Sequence, residues 1–182
     1  MVWVILGLLA AAALYAAALY NSLVQHRNRV RNAWAQIDVQ LLRRSELIPD
    51  LIESVKGYMR HETGIFDRIA DARSKALTAG NNVPARAEAE AALSHQMSGL
   101  VALAEAVPEL RASENMKEFQ EELATTENRI AFARQFFNDA VMAYNTRLET
   151  VPSNIVAGAF SFRPESLFEA EPAARARVPV KF

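Results

Sequence analysis

The first twenty residues differ from the rest of the chain in having almost no polar positions. Residues 2–20 are uncharged and mostly apolar. As a helix this stretch would be about 28 Å long, close to the roughly 30 Å hydrocarbon thickness of a bilayer. Trp3 and Tyr20 lie at its two ends, where aromatic side chains are enriched at membrane interfaces. The pattern predicts a single-pass transmembrane anchor over residues 1–20 rather than a cleaved signal peptide, which normally has a basic residue before a shorter apolar core.

From Asn21 onward, apolar residues recur with a helical period. Written as a seven-residue repeat, the two seam positions hold Leu23, Val30, Ile37, Leu51 and Tyr58, and Trp34, Leu41, Ile48 and Val55. No turn signal separates Tyr20 from Asn21, so we expect one continuous helix from the membrane span to residue 62, and the helical pattern continues through residues 61–79. Pro49 removes a backbone hydrogen bond, but the period continues in phase beyond it, which predicts a kink rather than a break.

Two further helical patterns follow the loop sequence GNNVP of residues 80–84. The first covers residues 85–106. Its predicted buried side chains are Ala89, Leu93, Met97, Leu100 and Leu103. The second ends at Pro152. Its seam positions hold Met116, Leu123, Ile130, Phe137 and Tyr144, and Phe119, Thr126, Ala133 and Ala140.

These patterns predict an all-α fold in which the transmembrane helix continues into an antiparallel, four-helix-bundle-like domain of long helices. The loop signals at residues 80–84 and 107–114 fold the chain back on itself, so the domain is expected to cover residues 21–162. Residues 153–168 are expected to pack on it through Ile155, Val156, Phe160 and Phe162. The tail, residues 163–182, has no sustained period and is expected to be flexible, at the latest from Glu169.

Composition removes several kinds of chemistry. The chain has no cysteine, which excludes disulfides, thiolate metal sites and cysteine nucleophiles. None of its three histidines, His26, His61 and His95, follows an acidic residue by three or four positions, so no metal site is expected. It has neither a phosphate-binding glycine loop nor a nucleophile elbow. We therefore expect no enzyme activity and no cofactor, and the net charge of −1 gives no reason to expect nucleic-acid binding.

Basic residues indicate how the span is oriented. No Lys or Arg precedes it, whereas Arg27, Arg29 and Arg31 follow it closely. The positive-inside rule then places the short N-terminus outside and the helical domain in the cytoplasm. These arginines, together with Trp3 and Tyr20, are the candidate membrane-interface residues, and the guanidinium of Arg27 could reach the lipid headgroups.

Residues 20–62 and 122–152 resemble the LemA family. The motifs that carry the resemblance are WAQIDVQLLRR, IPDLIE, TENRIAFAR and FNDAVMAYN. Phe137 stands where the family often has Tyr, and Asp50 where Asn is common. The resemblance implies a bacterial membrane-anchored helical bundle whose soluble part is cytoplasmic. It implies no reaction, because the family has no established biochemical activity to transfer to these residues.

Polar residues within these motifs form the remaining candidate site. They are Asp38, Gln40, Arg43, Arg44, Glu127, Asn128, Asn138 and Asn145. They could form a hydrogen-bonded layer that fixes helix register, line a solvated face, or recognise a partner protein or another copy. Arg44 falls on the apolar seam and Glu127 lies beside the facing seam, so we predict that these two side chains are in contact.

Taken together, the sequence favours a non-enzymatic scaffold on the cytoplasmic face of a bacterial inner membrane. Its expected partners are the lipid bilayer, further copies of itself in a homo-oligomer, and partner proteins of unknown identity. A signalling or stress-response component of the membrane is the first alternative. An accessory to a membrane enzyme is the second.

Overall fold

The computed structural model describes residues 1–59 and 63–169. Within these ranges the secondary structure is α-helical, with no strand, which confirms the predicted all-α fold. The helices are α1 (Val2–Lys56), α2 (Thr63–Thr78), α3 (Val83–Glu105), α4 (Pro108–Arg111), α5 (Glu114–Glu149) and α6 (Ser153–Ala159).

The chain divides into two compact units. Among the described residues, the first consists of residues 1–37 and 133–167, and the second of residues 38–59, 63–132 and 168–169. Helices α1 and α5 each contribute to both units. The predicted continuity between the apolar stretch and the amphipathic helix is confirmed, because α1 has no interruption between Val2 and Lys56.

The apolar N-terminal part of α1 is not packed against protein. In the described chain α1 is the one helix long and apolar enough to cross a membrane, and its most apolar 18-residue stretch has no buried residue. Packing begins at the end of this stretch, where Leu19 and Tyr20 become partly buried.

Tyr20 belongs to a small apolar cluster in the first unit. Leu23 is fully buried there with Val156 and Ala157 of α6. Leu148 of α5 lies against the same cluster. Further along, the ring of Trp34 is 5.5 Å from that of Phe137. Low residue numbers of α1 thus pair with high ones of α5, so the two helices run antiparallel in this unit.

The second unit has the larger core, built by α1, α2, α3, α4 and α5. Its fully or nearly buried side chains include Ile48, Leu51, Val55, Ile69, Leu93, Met97, Leu100, Leu110 and Met116. Predicted seam residues of three helices are among them. On α3 the prediction is wrong at Leu103, which is 38% exposed. The buried residue at this turn of the helix is its neighbour Ala104.

Helix α1 ends earlier than the sequence pattern predicts. It stops at Lys56, and Gly57 and Tyr58 form a turn. Glycine in a helix interior is less stable than alanine by about 1 kcal/mol, which favours termination there. Tyr58 is consequently 59% exposed instead of occupying the seam, and Met59 is buried in its place. Residues 60–62, the predicted end of the helix, lie outside the described residues.

Pro49 interrupts the hydrogen bonding of α1 without ending the helix, as predicted. Proline has no N–H, so the carbonyl of Ser45, four residues earlier, lacks its helical donor. Arg73 of α2 fills this position: its Nε donates to the Ser45 carbonyl oxygen and to Ser45 Oγ, each at 2.9 Å. A side chain from the neighbouring helix thereby replaces the missing backbone bond.

The C-terminus of α6 has the hydrogen bonds of a Schellman motif. The N–H of Phe162 donates to the Ala157 carbonyl at 3.0 Å, and the N–H of Ser161 donates to that of Gly158 at 3.2 Å. Ser161 has φ 54°, in the left-handed region where such motifs usually place glycine. Ile155, which was expected to pack, is 69% exposed.

The chain remains attached to the first unit after α6. The side chain of Asn145 donates to the Glu165 carbonyl at 2.9 Å and accepts from the Glu165 N–H at 3.0 Å. Packing therefore extends past residue 162, where the flexible tail was predicted to begin. The rest of that predicted tail, residues 170–182, lies outside the described residues.

Candidate functional site

Arg44 is the most unusual buried residue of the second unit. Only 2% of it is exposed, although it carries a full positive charge. Its Nη1 donates to Glu127 Oε1 at 2.6 Å and to Ser94 Oγ at 2.6 Å. The predicted contact between Arg44 and Glu127 is therefore present, and it joins α1 to α5.

The second arm of the Arg44 guanidinium faces α3. Its Nη2 donates to the carboxylate of Glu90 and, at 3.2 Å, to the Glu90 backbone carbonyl. Arg86, one turn earlier on α3, donates from Nε to the other carboxylate oxygen of Glu90 at 2.8 Å. The Nη2 of Arg86 lies 3.4 Å from Asp38 Oδ1 on α1. We call Asp38, Arg44, Arg86, Glu90 and Glu127 the buried charge network.

The buried charge network contains two cations and three carboxylates. Glu90 lies between the two guanidinium groups and is buried with them, whereas the side chains of Asp38 and Glu127 are 39% and 42% exposed. A buried ion pair is stable only when nearly every charge has an opposite partner, because desolvation costs several kcal/mol per ion. The chemistry available to this arrangement is mutual neutralisation, which holds three helices in one alignment.

The sequence pointed to Arg44 but not to its partners on α3. Arg86 and Glu90 precede the seam residues Leu93 and Met97 by seven positions each. Extending the heptad by one repeat would have placed both on the buried face. Arg86 and Glu90 are an i,i+4 pair of opposite charges on an alanine-rich helix, and such pairs ordinarily lie on the solvent-exposed face. Their spacing therefore does not by itself indicate burial.

The remaining predicted polar residues do not join the network. Arg43 forms an exposed pair with Glu122, at 3.0 Å from Nε and 2.5 Å from Nη2. Gln40 is half-buried and Asn128 is exposed. Asn138 and Asn145 belong to the first unit, where Asn145 binds the backbone of Glu165 as described above.

Metal ligands are not clustered in the described part of the chain. Residues 1–59 and 63–169 contain no group of three or more His, Cys, Asp or Glu side chains placed to hold a metal ion. His26 is half-buried on α1 and His95 is exposed on α3. His61 lies outside the described residues.

Aromatic side chains gather at the foot of the apolar stretch in the first unit. The ring of Tyr20 lies 4.8 Å from that of Phe160 and 5.6 Å from that of Phe162. We call these three residues the aromatic collar. The guanidinium carbon of Arg27 stands over the Phe162 ring at 5.1 Å, a cation–π contact. The guanidinium of Arg27, a candidate membrane-interface residue, thus contacts the protein through this ring.

The other predicted interface residues point into the surroundings. Trp3 is 86% exposed at the beginning of α1. Arg29 and Arg31 are exposed on α1, nine and eleven residues after Tyr20.

Two titratable groups of the first unit have perturbed pKa values. Burial lowers the pKa of His26, and the positive charges of Arg29 and Arg147 lower it further. Burial raises the pKa of Tyr144. The nearby Glu165 also raises the pKa of this phenol, whereas Arg27 and Arg31 oppose the shift.

Comparison with known proteins identifies similar chains. The model of the LemA family matches residues 33–182. Magnetosome protein MamQ 2 of Paramagnetospirillum magneticum is 22% identical over 179 residues, covering 85% of this chain and 66% of that protein. Protein LemA of Metamycoplasma hominis is 23% identical over 150 residues, covering 82% of this chain and 68% of that protein. This chain thus spans slightly less than two thirds of the magnetosome relative's length.

Proposed function

This chain belongs to the LemA family, and from that premise we propose that it is a membrane-anchored, non-enzymatic helical scaffold of the bacterial inner membrane. The short N-terminus lies outside, and the helical domain lies in the cytoplasm. There the domain self-assembles into a homo-oligomer or binds partner proteins.

The proposed membrane anchoring rests on one observation. The apolar part of α1 is wholly exposed, whereas the remainder of the same helix packs against the protein. The most apolar 18-residue stretch has no buried residue. An apolar surface of this size is unfavourable in water, and a bilayer is the environment that matches its length of about 28 Å. The absence of Lys and Arg before the span and the presence of Arg27, Arg29 and Arg31 after it support the orientation.

Exposed apolar side chains on the helical domain support the scaffold role. In the second unit Phe132 is 74% exposed and Val39 is 59% exposed. Aromatic residues on a water-facing surface are enriched where proteins bind one another. The charged side chains of the buried charge network, in contrast, pair with one another inside the domain, which supports a structural role for them.

Orientation can be tested by labelling a single cysteine, since the native chain has none. Glu121 is exposed on α5, and Glu121→Cys provides a site on the helical domain. We expect a membrane-impermeant maleimide to label it only after the cells are lysed. Labelling in intact spheroplasts would contradict the proposed orientation.

Assembly can be tested on the full-length protein in lipid nanodiscs or mild detergent at micromolar concentration. Light scattering should give a mass of more than one chain, and Phe132→Asp should reduce it. Thr125→Asp is a matched control, because it adds the same charge at another exposed position of α5. A monomeric wild-type protein would contradict self-assembly, and equal effects of both substitutions would contradict the role of Phe132.

A further inference from the structure

Phe160 is an aromatic residue that is held in place yet largely uncovered. Its ring packs against Tyr20 at a centroid distance of 4.8 Å, and 61% of the residue is still exposed. Most side chains of this size are buried when they are ordered by a specific contact, because the aromatic surface is strongly apolar. The uncovered face of Phe160 therefore requires an explanation.

The backbone around Phe160 fixes its position. Phe160 caps the end of α6, and Ser161 follows it in the left-handed conformation of the Schellman motif. Phe162, which follows this turn, contacts both the ring of Tyr20 and the guanidinium of Arg27. Val156 and Ala157 bury the inner face of α6 against Leu23. Phe160 is thus held by both its neighbours and its helix.

Tyr20 sets the depth of Phe160 relative to the proposed bilayer. Residues 2–20 as a helix span about 28 Å, so Tyr20 lies at the cytoplasmic boundary of the hydrocarbon region. The ring of Phe160, with its centroid 4.8 Å from that of Tyr20, therefore lies within 4.8 Å of this depth. Aromatic side chains are most favourable at this interfacial depth.

The chain segments that adjoin the aromatic collar are basic, which fits a lipid surface. Residues 21–31 and 147–165 together contain five arginines and two glutamates. Arg29, Arg31 and Arg163 are exposed among them. Exposed basic residues are attracted to the anionic lipids of a cytoplasmic leaflet, by about 1 kcal/mol for each residue near the surface.

We propose that Phe160 inserts into the interfacial region of the cytoplasmic leaflet, so that the turn ending α6 forms a second membrane contact beside the transmembrane helix. The bilayer is favoured over a second protein copy because the exposed ring adjoins the apolar span through Tyr20, and because the segments next to the aromatic collar contain more arginines than glutamates. This inference rests on the proposed anchoring of α1 in a membrane.

Fluorescence quenching by brominated lipids tests the insertion in the full-length protein. The native tryptophans, Trp3 and Trp34, are changed to Phe, and Phe160→Trp introduces the reporter without removing the aromatic contact to Tyr20. The protein is reconstituted into vesicles of phosphatidylcholine and phosphatidylglycerol. We expect lipids brominated near the headgroup end of the acyl chain to remove most of the fluorescence, and aqueous acrylamide to remove little.

A matched control has its single tryptophan at position 136. Phe136 is 52% exposed in the same unit, and its neighbour Phe137 packs on Trp34, which is fourteen residues from Tyr20, or about 21 Å along α1. We expect Phe136→Trp to be quenched by acrylamide and not by brominated lipid. A second control keeps only Trp3, which lies at the opposite end of the span and reports anchoring alone.

The outcomes separate this inference from the proposed function. Quenching of Trp3 without quenching at position 160 would overturn the membrane contact of α6 while leaving the anchor in place. Loss of quenching at both positions would overturn the anchor as well. Protection of position 160 from both quenchers, relieved when the protein is diluted into excess lipid, would show that a second copy covers Phe160 and would also overturn the inference.

Discussion

Two adjacent arginines of α1 occupy opposite environments. The side chain of Arg43 is 47% exposed and pairs with Glu122, which is 36% exposed. Arg44 is buried and contacts Glu90, Glu127 and Ser94. Exposed ion pairs contribute about 0–1 kcal/mol to stability, because solvent screens them and the side chains lose entropy. Removing one member of a buried pair costs about 3–5 kcal/mol, because an uncompensated charge remains inside.

Arg44→Ala is therefore expected to destabilise the protein by about 3–5 kcal/mol. For a chain of this size each kcal/mol corresponds to roughly 2–4 °C in melting temperature. The measurement is thermal unfolding of the full-length protein in detergent, followed by circular dichroism. Glu90→Gln should also destabilise, because it keeps the volume of the side chain but removes the charge between Arg44 and Arg86.

Arg43→Ala is the neighbouring control and should change stability by less than about 1 kcal/mol. Similar melting temperatures for the Arg43 and Arg44 variants would show that burial of the Arg44 pair contributes nothing to stability.

His26 makes the stability of the first unit depend on pH. Its pKa is lower in the folded protein than the ordinary value of 6.5, so folding favours the neutral imidazole. The stabilisation is complete above that value and is lost as pH falls through the folded pKa, because the unfolded chain then binds more protons. The melting temperature should decrease on acidification below pH 6.5, and by less in His26→Gln. An equal decrease in both proteins would assign the pH effect to other groups.

Sequence periodicity predicts the burial of single residues well where that burial depends on the pattern of one helix alone. The heptad repeat predicts Arg44 on the apolar seam of α1 and Glu127 beside the facing seam of α5. Arg86 and Glu90 are missed because their burial depends on the opposite charges that α1 brings to them, Asp38 for Arg86 and Arg44 for Glu90. A charged residue on α3 is buried or solvated according to its tertiary partner, and that partner is not visible in the α3 sequence.

At the scale of elements, Pro49 and Arg73 act as a pair. The Arg73 guanidinium donates to the Ser45 carbonyl that Pro49 leaves without a helical donor. Arg73→Ala should cost about 1–3 kcal/mol, the usual penalty for an unsatisfied buried acceptor. The loss should be smaller when Pro49→Ala restores the backbone donor. A double-mutant cycle of melting measurements gives this coupling, and additive effects of the two substitutions would contradict it.

The end of α6 offers a test in the stabilising direction. Ser161 has φ 54°, a conformation that costs a non-glycine residue roughly 1 kcal/mol. Ser161→Gly should raise the melting temperature by a few degrees, whereas Ser161→Ala should not, because alanine carries the same Cβ. A lower melting temperature for Ser161→Gly would mean that the added freedom of the unfolded chain outweighs the relief of strain.

Helix existence was predictable, whereas helix ends were less so. The seam from Leu23 to Val55 follows directly from the apolar period, and α1 forms as expected. The heptad also continued through Gly57 to Tyr58, since periodicity does not register the low helix propensity of a single glycine. The helix stops before Tyr58, so the next buried residue is Met59, one position later.

At the scale of the whole molecule, the anchor and the packed domain are separable by deletion. Packing of α1 begins at Leu19 and Tyr20, and the apolar residues before them are exposed. Deleting residues 2–18 should transfer the protein from the membrane fraction to the soluble fraction after ultracentrifugation. Its far-ultraviolet circular dichroism should retain a helical spectrum. Retention of the deleted form in carbonate-washed membranes would show that the span is not the principal anchor.

The heptad seam of α1 repeats the same kind of side chain many times. By itself it therefore does not fix how α1 is aligned along the neighbouring helices. If α1 slid by seven residues, Ile37 or Leu51 would replace Arg44, and at most other seam positions one aliphatic side chain would replace another. The misalignment would be costly at the buried charge network, above all at Glu90, because its buried carboxylate would lose Arg44 and face an aliphatic side chain. Arg44 thus selects one register of α1 against the neighbouring helices among several that apolar contacts alone would allow.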